Sequence, residues 1–199
     1  MGKKQQNGDF MRIAVDLDGV VADFVNSFLL YVNRIYKSDY TKKDIYTFRL
    51  QEVFGISDSK TYFLVDHILK QDLPVIPGAK EGLQTFQEAG HEVIIFTARY
   101  SSLKEPTKKW LTMKELPYDR LIFKEDWERG KEFFDIVIDD SVKKITELIG
   151  YYKRAFLFSQ PWNERTWNID NNFERVYNWK EIVKRVEYYG IEEKTDELF

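Results

Sequence analysis

Asp16 and Asp18, in the run Asp16-Leu17-Asp18-Gly19, follow directly on the apolar segment 11–15. Two carboxylates therefore stand at the C-terminal end of an expected buried strand, with a glycine turn behind them. In an open α/β sheet that edge is where ligands bind. On an extended chain, side chains two residues apart face the same way. Like charges about 4 Å apart repel by about 1 kcal/mol in water and about 4 kcal/mol at an effective dielectric of 20. The pair calls for a cation or a bound proton. Two other apolar runs also end in polar residues: 93–96 in Thr97, and 136–138 in Asp139-Asp140. If these runs are parallel strands, all three ends meet on one edge. A carboxylate cluster of that size suits a hard cation such as Mg²⁺, which takes oxygen ligands, keeps waters and bridges to phosphate. The Thr97 hydroxyl and a lysine ammonium would hold phosphate oxygens.

The elements that must position these residues follow from periodicity. Short apolar runs at 12–17, 91–97, 120–123, 135–139 and 154–158 read as strands, with a short edge strand at 175–177. Helical spacing marks 22–36, 59–70, 78–89, 103–116, 125–134, 141–149 and 178–190, with Gly90, Gly150 and Gly190 as stops. Thr41-Lys42-Lys43-Asp44 resembles a capping box. Strand–helix alternation implies an α/β fold, a Rossmann-like parallel sheet with helices on both faces. A small helical cap is inserted after the first strand. The expected division is a core of 11–20 and 74–190, a cap of 21–73, a flexible polar leader of 1–10 and a charged tail of 191–199.

Composition narrows the function. The chain has 199 residues, a net charge of -3 and no cysteine. Thiolate metal sites, disulfides and cysteine nucleophiles are excluded. The charge balance argues against a duplex nucleic-acid binder. No segment is apolar enough to span a membrane, and nothing marks a signal peptide. These features fit a cytoplasmic protein. An EF-hand reading of the Asp16 loop fails, because its twelfth position is Ser27 instead of Glu. No Ser-His-Asp arrangement, Walker loop or dinucleotide glycine motif occurs.

The signatures Asp16-Leu17-Asp18-Gly19-Val20, Thr97 after Val93-Ile94-Ile95-Phe96, and Asp139-Asp140 after Ile136-Val137-Ile138 resemble those of the haloacid dehalogenase superfamily. Within it, Val21-Ala22-Asp23-Phe24, Thr97-Ala98-Arg99, Ile138-Asp139-Asp140-Ser141 and Gln160-Pro161-Trp162-Asn163 are similar to the 5'(3')-deoxyribonucleotidases and their bacterial relatives. The resemblance covers about residues 11–186. It implies a two-step phosphoryl transfer in which Asp16 forms an aspartyl phosphate and Asp18 serves as acid, then base. It implies Mg²⁺ held by Asp16, the backbone carbonyl of Asp18 and Asp140, with Asp139 supporting from behind. The superfamily's phosphate-binding lysine usually opens a helix, which favours Lys124 over Lys131. Phe24 matches a position that packs against the base, and Ala98 and Arg99 would touch substrate. The implied partner is a small phosphomonoester, a nucleoside monophosphate by preference, and a homodimer is the assembly allowed for.

Plainer readings stand beside these. Phe24 could simply be core, and Arg99 a solvated or capping side chain. Tyr40, Tyr46, Phe48 and Tyr62 are further candidates for the pocket. His67 and His91 read as structural, and Trp110, Trp127 and Trp179 as core. The cap contains no tryptophan, unlike the deoxyribonucleotidases this chain resembles. That departure keeps open a phosphatase of another small phosphate, such as a sugar phosphate. A non-catalytic metabolite-binding module is the third reading.

Overall fold

The computed structural model describes residues 10–166 and 172–196. Residues 1–9 of the expected leader (1–10) and the last three residues of the tail lie outside that range. Six strands, β1 (Arg12–Val15), β2 (Glu92–Thr97), β3 (Arg120–Phe123), β4 (Phe134–Asp139), β5 (Tyr152–Phe158) and β6 (Glu174–Val176), form one parallel sheet in the order β3-β2-β1-β4-β5-β6. Apolar side chains alternate between its faces. Ile13, Val15, Val93, Ile95, Ile136 and Ile138 enter one core, while Ala14, Ile94, Phe96, Val137, Ala155 and Leu157 enter the other. A parallel sheet buried on both faces has this pattern, and it explains why the strands read as unbroken apolar runs.

Between β1 and α4 (Ala79–Glu88) lie three helices, α1 (Phe24–Tyr36), α2 (Leu50–Phe54) and α3 (Asp58–Leu69). The α2 turn was not anticipated from sequence. The chain enters and leaves this helical segment side by side. The Asp23 N–H donates to the Pro74 carbonyl and the Ile76 N–H to the Val21 carbonyl, both at 2.8 Å. Two core tryptophans pin these crossings. Trp179 Nε1 donates to the Val20 carbonyl at 2.8 Å, and Trp110 Nε1 to the Leu73 carbonyl at 3.0 Å. They sit on α8 (Trp179–Asp196) and α5 (Lys104–Met113). Among the described residues, no helix is long and apolar enough to cross a membrane.

Two helix boundaries differ from the sequence reading. The helix expected over 125–134 is one short turn, α6 (Lys124–Trp127), before the chain turns through Gly130. The Trp127 indole closes this turn on the Glu132 carbonyl. The last helix continues beyond Gly190 to Asp196. Gly190 is tolerated inside it, and even an added Cβ there would stand 3.6 Å from Met11.

Trp179 also packs against α4. A Cβ added at Gly82 would fall 2.3 Å from Trp179 Cε3, and both residues are buried. Overpacking of this kind costs about 1–3 kcal/mol. Gly82→Ala should therefore lower the unfolding free energy by about that amount, read as a lower urea midpoint at unchanged m-value. An unchanged midpoint would show that Trp179 moves aside freely.

Candidate active site

β1 ends at Val15, so a turn, and not strand alternation, sets how Asp16 and Asp18 are placed. The Asp16 N–H donates to the Ile138 carbonyl of β4, and the Val21 and Ala22 N–H groups close on the Leu17 carbonyl. Gly19 has φ +95°, and a Cβ there would fall 2.0 Å from Asp140 Oδ2. Only glycine lets this turn approach β4 so closely.

The register Ile13↔Ile136 and Val15↔Ile138 brings the ends of β1 and β4 together. Asp16, Asp139 and Asp140 are all buried, and each offers a carboxylate oxygen within 4.8 Å of the others'. Asp16 Oδ2, Asp139 Oδ2 and Asp140 Oδ1 are buried without a hydrogen-bond partner. Burial pushes Asp16 up to about 8, reinforced by the charge of Asp139. Burial likewise holds Asp139 and Asp140 above the usual carboxylate range. Three crowded acids with unpartnered oxygens are a donor set suited to a divalent cation.

One protein cation is already present. Lys144 Nζ donates to Asp16 Oδ1 at 2.9 Å and lies 3.6 Å from Asp139 Oδ1. Burial would lower its pKa, but the charges of Asp139, Asp16 and Asp140 outweigh burial and raise it. Lys144 belongs to α7 (Val142–Glu147), whose N-cap is Ser141. The lysines expected from sequence are placed differently. Lys124 Nζ bonds Glu147 at 2.5 Å, although its side chain lines a small cleft with Asp16, Ala98 and Lys144. Lys131 stands over the rings of Trp127 and Tyr151. Sequence reasoning missed Lys144. Its one signal was position: it lies in the first helical turn after Asp139-Asp140, three residues past a capping serine.

Thr97, at the end of β2, is buried and accepts the Arg99 N–H at 3.2 Å. Asp18 accepts from Arg99 at both oxygens, from Nε at 2.8 Å and Nη2 at 2.7 Å. Asp18 also borders a cavity of about 200 Å³, lined by Asp140, Ser141 and Lys144 and by Phe24, Ile45, Phe48, Leu50 and Trp162. Of the remaining aromatic candidates, Tyr40 packs on Phe54 and Tyr62 on Tyr100, away from this cavity. Tyr46 is exposed and is also absent from the lining. Trp162 comes from the core, on the turn after β5, and faces Phe48 with ring centroids 5.5 Å apart.

The rest of that turn holds the site's backbone. Gln160 Nε2 donates to the Gly19 carbonyl at 2.7 Å, and Asn163 Nδ2 to the Asp140 carbonyl at 2.8 Å. Arg175 of β6 donates to Asn163 Oδ1 at 2.7 Å. Gln160-Pro161-Trp162-Asn163 thus forms a turn whose Trp162 lines the cavity.

The family model for 5' nucleotidase, deoxy (pyrimidine), cytosolic type C proteins matches residues 10–188. The chain belongs to this family. Membership of it makes the chain a phosphoric monoester hydrolase of nucleotidase type. The chain is 26% identical over 178 residues to a 5'(3')-deoxyribonucleotidase of Bacillus subtilis, covering 87% of this chain and 97% of that protein. It is 23% identical over 196 residues to a nucleotidase of Clostridium acetobutylicum, covering 95% of each. Among solved structures, a haloacid dehalogenase family hydrolase from Deinococcus radiodurans with bound phosphate and sodium superposes with a TM-score of 0.60 at 14% identity, over 88% of this chain and 94% of that one. A superfamily hydrolase from Ehrlichia chaffeensis gives a TM-score of 0.55 at 12% identity, over 89% and 97%. These two share the fold of the nucleotidase chain.

The raised carboxylates fix a pH dependence. Asp16 has an ordinary value of 3.8 and a folded value of about 8. Across that window the folded chain keeps a proton that the unfolded chain has released, so stability falls as pH rises. Lys144 is charged in both states there and adds no slope. In chelator, the melting temperature should therefore drop between about pH 5 and 8. Added magnesium chloride should restore it at pH 8 by binding the folded state. A flat profile without metal would contradict the acid cluster's electrostatics.

Proposed function

We propose that this nucleotidase-family enzyme is a Mg²⁺-dependent 5'(3')-(deoxy)ribonucleotidase working through an aspartyl phosphate. The observation that carries the reading is a single cavity lined both by charged Asp18, Asp140 and Lys144 and by aromatic Phe24, Phe48 and Trp162. A nucleoside monophosphate carries the two kinds of group such a lining suits, a dianionic phosphate and a flat ring.

Asp16, Asp140 and the Asp18 backbone carbonyl would hold Mg²⁺, with Asp139 tied back by the Ser141 N–H. When bound, the ion neutralises charge on the acids and on the phosphoryl oxygens. The protein's own groups do the rest. A carboxylate oxygen of Asp16 attacks phosphorus as the ester P–O bond breaks, and its electron pair leaves on the alcohol oxygen. Asp18 supplies the proton to that oxygen. Asp18 then takes a proton from water as the water oxygen attacks phosphorus, and Asp16 departs as carboxylate with release of phosphate. Lys144 and the Thr97 hydroxyl would hold phosphoryl oxygens. Lys144 takes the role that the superfamily resemblance assigned to Lys124 or Lys131.

The absence of tryptophan from the cap supports the second reading, a phosphatase of another small phosphate. A monophosphate panel with an Asp16→Asn control separates the two. Release should be strongest from nucleoside monophosphates and fall by at least about a thousandfold in Asp16→Asn. Preference for sugar phosphates with idle nucleotides would transfer the assignment to the second reading. Binding without release from any substrate would favour a metabolite-binding module. Lys144→Ala should lower kcat/KM by about 10²–10³-fold, more than Lys124→Ala or Lys131→Ala. The reverse ranking would return the phosphate-binding role to a lysine near β3.

A further inference from the structure

We propose that Arg99 is a positioning residue that aims the carboxylate of Asp18, and that Thr107 completes its hold. The inference rests on the acid–base role of Asp18 described above. It differs from the contact with substrate that the sequence suggested for Arg99.

The Arg99 side chain is 1% exposed and that of Asp18 is 22% exposed. Asp18 borders the cavity and Arg99 does not. The guanidinium therefore stands behind the carboxylate, and a substrate entering the cavity meets Asp18 first. Nε and Nη2 take one oxygen each in a two-pronged contact. Such a fork fixes the plane of a carboxylate, which a lysine ammonium cannot do. A carboxylate offers about four lone-pair sites, so each oxygen keeps one for proton transfer. The third anchor is Nη1, which donates to Thr107 Oγ1 at 3.1 Å. Thr107 is fully buried on α5. Backbone geometry supports the same arrangement, because the Arg99 N–H bonds Thr97 Oγ1 and fixes the turn from which the side chain departs. One arginine thus links β2, α5 and the Asp18 turn, and among the described residues none of its hydrogen bonds is to the helical insertion.

The test uses two leaving groups. An alkoxide leaving from 5'-thymidine monophosphate needs the proton from Asp18. A nitrophenolate leaving from 4-nitrophenyl phosphate does not, so its first turnover reports attack by Asp16 alone. The burst amplitude also counts correctly folded sites in each variant. In Arg99→Lys, kcat on thymidine monophosphate should fall by about 10–100-fold, part of the about 10²–10⁴-fold that a positioned proton donor supplies. KM and the first-turnover rate with 4-nitrophenyl phosphate should stay within about threefold. Thr107→Val, which leaves the donor unpaired, should fall in the same direction by about fivefold. A raised KM at unchanged kcat for both substrates would make Arg99 a substrate contact and overturn the proposal. Equal losses in burst rate and kcat, or no loss at all, would overturn it too. Asp18→Asn separates the two levels. If that variant still turns over thymidine monophosphate, the acid–base role itself fails. If it is inactive while Arg99→Lys matches the wild type, only the role of Arg99 fails.

Discussion

The site depends on one electrostatic constraint: three carboxylates buried together at the ends of β1 and β4. Water cannot solvate Asp16, Asp139 and Asp140 there, and their mutual repulsion adds to the cost of burial. Left alone, they retain protons. A protonated Asp16 is a poor nucleophile, so the readiness of the site at neutral pH is set by positive charge supplied nearby. Lys144 provides the protein's share through its bond to Asp16 and its closeness to Asp139. The unpartnered oxygens on the three acids leave room for more. The same crowding explains the glycine at position 19, since any side chain there would occupy the volume of Asp140.

Around this cluster the scaffold holds backbone more than side chains. Gln160 and Asn163 bond the carbonyls of Gly19 and Asp140, and Arg175 fixes Asn163 from the far strand of the sheet. Trp179 and Trp110 bond the carbonyls of Val20 and Leu73, where the helical insertion joins the sheet. Each bond satisfies a buried carbonyl that would otherwise be costly. Together they tie the turn at residues 16–22 to α8 and to the turn after β5.

What the sequence made legible and what it concealed follow from reach. Asp16, Thr97, Asp139 and Asp140 could be placed because each ends an apolar run, and parallel strands bring such ends to one edge. The sheet order then needed only one fact, that β1 lies between β2 and β4. Lys144 was hidden because a lysine side chain extends far from its backbone and the chain is rich in lysine. Its partner is 128 positions away. Arg99 was visible, but its direction was not, since nothing in Thr97-Ala98-Arg99 says whether the guanidinium faces substrate or a neighbouring acid. Gly190 misled as a helix stop because a glycine's effect depends on whether a left-handed turn follows, and here the helix continues. The short α6 shows the opposite case, where apolar spacing ran on through a segment that tertiary contacts bend at Trp127 and Gly130.

The cap's missing tryptophan takes on a different meaning once Trp162 is located. Trp162 stands on the core, one residue from Asn163, which bonds the carbonyl of Asp140. Its ring is thereby tied to the backbone of Asp140, and a Cβ built at Gly19 would lie 3.4 Å from Trp162 Cζ2 and 2.0 Å from Asp140 Oδ2. Phe24 and Phe48 line the same cavity from the insertion. On the nucleotidase reading, an aromatic surface held by the core stands in for the tryptophan that the insertion lacks.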